Sequence, residues 1–285
     1  MSNCEQREHR GAVIGWSPWL QRWAAWVPDP LLAQGKHQSN ELDRIARQCI
    51  LRRLQNPSDH VDVLGHFIQT QKQKGETPDV DVLVSEAITV LIAGTDASTN
   101  AMTATIHLIS THPSVYGSLR RELNAALGKC AVPTSDDQIA NLPYLNACVY
   151  EALRYHSPTG MGLPRVSSGF EFRGHQFPPG IDVSIPTWTM SHEPTLWGED
   201  SYSYRPERWI EDPSLSKYFM AFSMGARSCL GRNLAIMELK MAAACLFQRY
   251  DVEPRSPHLE TVDKLMHKPT EESGWFRLRR RDIDV

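Results

Sequence analysis

The residues of greatest chemical interest form one short stretch, Phe222-Ser-Met-Gly-Ala-Arg-Ser-Cys-Leu-Gly231. It places a single cysteine, Cys229, behind an aromatic residue, a glycine and an arginine, and just ahead of a second glycine. The residues after Cys229 are strong helix formers with apolar residues spaced at three and four, so they predict a helix that begins beside the sulfur. The positive end of a helix favours the anionic form of a nearby thiol. Cys229 is therefore predicted to act as a thiolate ligand.

The neighbours of Cys229 suit a thiolate that ligates the iron of heme b. Gly225 allows a tight turn, and Gly231 lets the backbone approach the porphyrin without a Cβ in the way. Arg227 carries the planar cationic group that pairs with a propionate carboxylate. Phe222 is placed to cover the sulfur side of the ring and keep out water. A lone cysteine is usually a small buried hydrophobic residue, so it is the whole pattern that argues for the metal.

The full pattern Phe-x-x-Gly-x-Arg-x-Cys-x-Gly resembles the signature of the cytochrome P450 family, the heme-thiolate monooxygenases. Three further stretches resemble motifs of that family and follow in its order: Ala93 to Ser98, Glu151 to Arg154, and Tyr204 to Arg208. The resemblance implies a mainly α-helical fold with a small β-rich part, in a single domain over residues 1–285. The match runs from about residue 15 to the end, and we expect the N-terminal part of the family fold to be lacking.

The longest helical pattern runs from Asp79 to Ser110 and predicts a buried central helix, because it is interrupted by Asp96 and too short to cross a bilayer. Its middle resembles the family's oxygen-binding stretch, where a glycine, Gly94, loosens the hydrogen-bond ladder. The resemblance implies that Asp96 carries protons toward bound O2. The alcohol that the family usually places after this acid is replaced by Ala97. Thr95, Ser98 or Thr99 is then expected to substitute, and the spacing does not decide which of them faces the iron.

Other motif residues have structural or heme-binding roles by resemblance. Glu151 and Arg154, three positions apart, share one helix face, and Arg208 completes a buried three-residue network in the family fold. Arg165 stands where an arginine of the family reaches the second propionate. For His192 we expect a propionate-side or packing role, since no second ligand-type residue lies at metal spacing.

The remaining elements are predicted from periodicity and turn residues. Helical patterns cover 37–54, 61–71, 113–127 and 143–155, and alternation predicts a small antiparallel sheet over 162–186 and a closing hairpin after Tyr250. A fifth stripe, Trp16, Trp19, Trp23 and Trp26, predicts a short helix that is either core or the lip of a substrate channel in peripheral contact with a membrane.

Composition limits the possible partners and compartments. The 285 residues carry a net charge of −3, which gives no reason to expect nucleic acid, and the basic run Arg277 to Arg281 is predicted to be a solvated end. Six cysteines lie without paired spacing, which suits a reducing compartment. The polar N-terminus shows no transmembrane segment. The resemblance implies the cytoplasmic side of the endoplasmic reticulum membrane, where family members usually reside.

The function that the resemblance implies is insertion of one oxygen atom from O2 into an organic, apolar or natural-product small-molecule substrate, in a secondary-metabolite pathway. Electrons would come from NADPH through a flavoprotein reductase, for whose docking Arg232 is a candidate. Two alternatives stay open. Ala97 suggests a heme-thiolate dehydratase or isomerase that needs no reductase, and the lacking N-terminal part suggests a non-enzymatic remnant.

Overall fold

Helices form most of the chain, and a smaller part is built from short strands, as the sequence predicts. The computed structural model describes residues 30–58, 61–75, 77–129, 131–263 and 266–281. Contacts divide the chain into two units, Met1–Thr95 and Asp96–Val285. The predicted tryptophan helix lies outside the described residues.

In the part of the first unit that the structure describes there are two helices and the start of a third. They are α1 (Pro30–Gln55), α2 (Val63–Gln73) and the first half of α3 (Val80–Thr111). Asp62 caps α2, since its side chain accepts a hydrogen bond of 2.7 Å from the backbone N–H of Gly65. The buried residues of this unit's core are Ile50, Leu83 and Val84.

The second unit is built on the second half of α3 and three further long helices. These are α4 (Pro113–Leu127), α5 (Pro143–Tyr155) and α9 (Arg232–Arg249), with short helices α6 (Thr187–Ser191), α7 (Pro194–Trp197) and α8 (Arg208–Glu211) between α5 and α9. Both α4 and α5 begin at a proline, whose fixed φ suits the first helical position. Their main core includes the fully buried Ile109, Leu119, Leu123, Leu145 and Phe247. Burying each such side chain stabilises the fold by about 1.5–3 kcal/mol.

Among the described residues of the second unit, eight short strands form four antiparallel pairs. They are β1 (Arg165–Val166) with β4 (Asp182–Val183), β2 (Phe170–Phe172) with β3 (His175–Phe177), β5 (Tyr250–Pro254) with β8 (Phe276–Arg280), and β6 (Thr261–Asp263) with β7 (His267–Pro269). The first two pairs lie in the range 162–186, where one small antiparallel sheet is predicted, but they are two separate two-stranded sheets. The last two pairs lie in the predicted C-terminal hairpin region and are also separate sheets. The basic run Arg277 to Arg281 is predicted to be a solvated end, and its residues on β8 are exposed. Arg281 is half-buried and donates to the Gln248 carbonyl at 2.8 Å.

Helix α3 differs from the predicted buried helix in its middle. Ala101, Ala104, Leu108 and Ile109 are buried, but Val90, Leu91 and Ile92 are 43–54 % exposed. A helix that is apolar nearly all round leaves some apolar residues in solvent wherever only one side is packed. The helix also runs unbroken through Gly94, because a glycine keeps its backbone hydrogen-bonding groups and costs a helix only about 1 kcal/mol. Among the helices that the structure describes, none has the length and apolar character needed to cross a membrane.

Gly162 occupies the most crowded turn of the β-rich part. Its φ is +73°, and a Cβ there would overlap the carbonyl of Ile185. Gly162→Ala is therefore expected to lower the free energy of unfolding by about 2–3 kcal/mol, measured in urea. Gly174→Ala is the matched control: its φ is +80° with nothing within 4 Å, so it should lose about 1 kcal/mol. If both variants lost the same free energy of unfolding, the overlap with the Ile185 carbonyl would not contribute to the loss.

Candidate functional site: a cysteine loop at the start of a helix

Cys229 lies at the end of a tight loop. Its backbone N–H donates to the Phe222 carbonyl at 2.8 Å, which joins the two ends of the loop. Between them, a single 3-10 turn spans Gly225–Arg227, and Gly225 has φ +70°. Left-handed backbone of this kind favours glycine, because glycine has no Cβ to clash. The first glycine of the motif therefore shapes the loop that presents the cysteine.

Helix α9 begins directly after the cysteine. Gly231 is its N-cap, and the N–H of the first helical residue, Arg232, donates to the Cys229 carbonyl at 3.4 Å. A Cβ on Gly231 would lie 3.9 Å from Cys229 Sγ, so the sulfur stands beside the first turn of the helix. The partial positive charge of a helix N-terminus stabilises an anion at this place.

The surroundings of the sulfur fit a heme. Cys229 is a free, exposed cysteine. Exposed apolar side chains flank it, with Leu230 96 %, Leu234 56 % and Met224 55 % exposed. A soft sulfur donor beside apolar surface is the donor chemistry that an iron porphyrin with a thiolate ligand requires. Arg227 is exposed in the same loop, and its cationic guanidinium is of the type that pairs with a propionate carboxylate.

Four of the five predicted heme contacts share the loop with Cys229, and one does not. Phe222 is half-buried, with its ring 6.1 Å from the Phe219 ring, and the exposed Arg232 lies 5.7 Å above it. Arg165 is exposed on strand β1, where its guanidinium donates to the adjacent carbonyl of Pro164 at 2.8 Å. The structure thus places Arg165 on a separate element from the cysteine loop.

The predicted oxygen-binding stretch lies in the middle of α3, where the two units divide. Thr95 ends the first unit and is exposed, while Asp96 begins the second. The Asp96 side chain is 51 % exposed, and its Oδ2 lies 3.9 Å from Nζ of Lys268 on β7. Ala97 and Ser98 are half-buried. The carboxylate of Asp96 is therefore half-exposed to solvent.

Glu151, Arg154 and Arg208 form a buried network. Arg154 donates two parallel hydrogen bonds to the Glu151 carboxylate, each 2.9 Å long, and Arg208 donates a third of 2.9 Å from its Nε. Trp209 adds a fourth from its indole N–H, also at 2.9 Å. All three charged side chains are almost completely buried. The single carboxylate thus joins α5 to the start of α8.

The two arginines also bind backbone carbonyls of the segment that follows α6. Arg154 donates to the carbonyls of Ser191 and Ser201, and Arg208 to the carbonyl of Trp197. Every donor that is pointed inward thereby finds an acceptor, which is the condition under which buried charges persist. The role of the network is structural, because it fixes the chain that leads from α5 toward the cysteine loop.

Two residues that contribute to this network, Asp200 and Trp209, are not predicted from the sequence. Asp200 bonds to Arg208 at 3.1 Å, and the Trp209 indole reaches Glu151, yet neither belongs to a motif. Asp200 and Trp209 lie close to Tyr204–Arg208 in sequence, which was the available signal. His192 packs its ring 4.4 Å from that of Trp188 and bonds to the Trp188 carbonyl at 2.8 Å, so it has a packing role.

Comparisons with known proteins agree with this geometry. The cytochrome P450 family model matches residues 16–273. Benzoate 4-monooxygenase bphA from Aspergillus niger is 30 % identical over 276 residues, which cover 93 % of this chain and 53 % of that relative. Cytochrome P450 monooxygenase hepC from Aspergillus oryzae is 32 % identical over 218 residues, covering 74 % of this chain and 43 % of the relative.

A solved structure shows the same fold. The crystal structure of a cytochrome P450, CYP102L1, superposes with a TM-score of 0.77 at 26 % identity, covering 87 % of this chain and 58 % of that one. The predicted mainly α-helical P450 fold is therefore confirmed. The chain spans about half the length of the curated relatives that it matches. With a family match over most of its length and a cysteine loop of the family's pattern, this chain belongs to the cytochrome P450 family.

Proposed function

We propose that this chain carries the heme-thiolate centre of a monooxygenase that inserts one oxygen atom from O2 into an organic, apolar or natural-product substrate. The observation that supports this most directly is the exposed free thiol of Cys229, just before the first turn of α9. The backbone hydrogen bond from the Cys229 N–H to the Phe222 carbonyl holds the residue in this place. Cys229 would be the axial ligand, and Phe222, Gly225, Arg227 and Gly231 would form the cradle. Arg165 remains the candidate for the second propionate. When bound, the heme supplies the activation of O2.

The protein's own contribution on the other side would be proton delivery. Asp96 is half-exposed on α3, so it can exchange protons with water and pass them inward. Ser98, two positions after Asp96, is half-buried, whereas Thr95 is exposed. Ser98 is therefore better placed than Thr95 to hold a hydrogen-bonded water away from bulk solvent. Ala97 contributes no hydroxyl, so a water held by Ser98 takes the place of the missing alcohol.

Electrons would come from NADPH through a flavoprotein reductase. Arg227 and Arg232 are exposed on the loop and helix that carry the thiolate, and they give that surface the positive charge that suits an acidic partner. The relative named for benzoate 4-monooxygenation makes benzoate and larger aromatic acids the first compounds to test as substrates.

A second function is favoured by one observation, the alanine at position 97. Without the alcohol next to the acid, delivery of protons to O2 is less well supported, and a heme-thiolate centre can instead rearrange or dehydrate an already oxygenated substrate. That reaction needs no reductase and no O2.

The test has two stages. Reduced, carbon monoxide-treated protein should show a thiolate-type Soret band, and its absence from heme-loaded preparations would leave only the non-enzymatic remnant. The holoenzyme is then incubated with reductase, NADPH, benzoate and a set of larger aromatic acids under labelled O2. We expect one labelled oxygen atom in the product. Unlabelled product formed from an oxygenated substrate without NADPH would establish the dehydratase or isomerase instead.

A further inference from the structure

Two histidines form a buried pair outside the cysteine loop. His156 follows α5 directly and His267 begins β7, and their ring centroids lie 4.4 Å apart with 38° between the planes. His156 is 2 % exposed, and within the described part of the chain its Nε2 has no hydrogen-bond partner. A ring nitrogen buried without a partner cannot hold a proton cheaply, because the charge would be desolvated.

The contact between His156 and His267 joins strand β7 to the loop after α5, and two further contacts of His267 support it. The backbone N–H of His267 donates to the Pro158 carbonyl at 2.8 Å. Gly160 in the same loop approaches so closely that a Cβ there would lie 3.5 Å from the His267 Cβ. On the other side, His267 Nδ1 bonds to the Asp263 carboxylate at the end of β6. The ring contact, the backbone bond and the carboxylate together set the position of β7.

The next residue of β7 is Lys268, the partner of Asp96. Its ammonium group lies 3.9 Å from the Asp96 carboxylate, and the lysine side chain is 28 % exposed. An exposed pair of this length contributes about 0–1 kcal/mol by itself, so it cannot hold the strand. Instead, the position of β7 decides whether the ammonium group of Lys268 reaches the carboxylate of Asp96.

We propose that His156 is a positioning residue whose neutral ring holds β7 against the loop after α5, and so keeps Lys268 beside Asp96. Its value for catalysis rests on the proposed role of Asp96 in proton delivery. A proton on His156 would place a buried charge against the ring of His267. Acid is therefore expected to release β7 and to separate Lys268 from Asp96.

The charges around the pair support this direction. Asp263, on β6, can balance a charge on His267 but is 62 % exposed. Glu151 and Arg154, on α5, satisfy each other. Burial lowers the pKa of His192, at the end of α6, from its usual value, so burial disfavours a charge there too. The carboxylate of Asp263 is bonded to His267. Beside the His156 ring, the His267 ring opposes a proton and the His267 backbone favours one, and burial outweighs the backbone contact.

The sign of the pH dependence follows from burial. Burial, helped by the adjacent His267 ring, lowers the pKa of His156 from 6.5 to about 3. The docked state then binds fewer protons than the released one, so docking has full strength above pH 6.5 and weakens as the pH falls toward 3. Between pH 7.5 and pH 5 the expected weakening is roughly 30-fold.

Amide hydrogen exchange of the full chain, followed by NMR, tests the proposal. The protection factor of the His267 amide should fall roughly 30-fold between pH 7.5 and pH 5 in the wild type, and the Phe247 amide of the core should change much less. In His156→Phe, which keeps a ring but cannot be protonated, the fall should be less than about 3-fold. His156→Gln gives the same comparison without an aromatic ring.

His107→Phe is the matched control, because His107 is a buried histidine whose pKa is lowered by burial and whose ring contacts Phe276. It should keep the wild-type response at His267. An unchanged His267 protection factor in the wild type, a wild-type response in both His156 variants, or an equal loss at Phe247 would overturn the proposal. Amide exchange needs neither heme nor substrate, so the result is independent of whether the proposed monooxygenase function holds.

Discussion

Replacement of Cys229 with alanine should abolish the thiolate-type Soret band of the reduced, carbon monoxide-treated protein, and with it all oxygenation. The reason is that this side chain supplies the one thiol of the loop, and neither an alanine methyl nor the thioether of Met224 can provide a thiolate ligand. The side chain is exposed, so its loss should change the free energy of unfolding by no more than about 0.5 kcal/mol. Absorption spectra of heme-loaded protein and urea unfolding measure the two effects separately.

Cys49→Ala is the control for this experiment. Cys49 is also a free, exposed cysteine, but it lies on α1 in the first unit, away from the loop in sequence. It should keep the full band. If Cys229→Ala kept the thiolate-type band, or if Cys49→Ala lost it to the same degree, the assignment of Cys229 as the ligand would be wrong.

The cysteine loop could be predicted from sequence because its geometry is local. Phe222 and Cys229, the two ends joined by the 2.8 Å backbone bond, are only seven positions apart, and the turn between them needs a glycine at position 225. The same holds for helices α4 and α5, whose first residues are prolines and whose apolar spacing is regular. Where the interaction lies within one loop or one helix, residue types and spacing carry most of the information.

Long-range contacts could not be predicted in this way. The rings of His156 and His267 meet across more than a hundred positions, and neither residue belongs to a motif. The carbonyls that receive Arg154 are backbone atoms of serines, whose residue type gives no signal. The exposed turn of α3 at Val90 was missed for a related reason: an apolar run shows that burial is favourable but not which side of the helix is covered.

Glu151→Gln should lower the free energy of unfolding by about 3–5 kcal/mol, because it removes the one carboxylate between two buried guanidinium groups. Glutamine has the size of glutamate, so the shape is kept, but the charge is lost and one acceptor oxygen becomes an NH2 group that faces other donors. Arg154 and Arg208 would then face each other in a region where the solvent-exposed fraction of their side chains is 0 % and 1 %. Urea unfolding followed by circular dichroism measures the loss, with heme retention read in parallel.

Arg205→Gln separates this effect from the loss of any ion pair. The Arg205 side chain is 38 % exposed and bonds to Asp200 and Glu211, each at 2.6 Å. Water screens such pairs, so the variant should lose less than about 1 kcal/mol. Its backbone N–H, which donates to Glu151 at 3.0 Å, is unchanged by the substitution. If the two variants lost the same free energy, burial would not be what makes the network strong. In sequence, Glu151 is one half of an ordinary helix pair. A large loss confined to Glu151→Gln would mean that this carboxylate holds α5 and α8 together because the fold removes it from water.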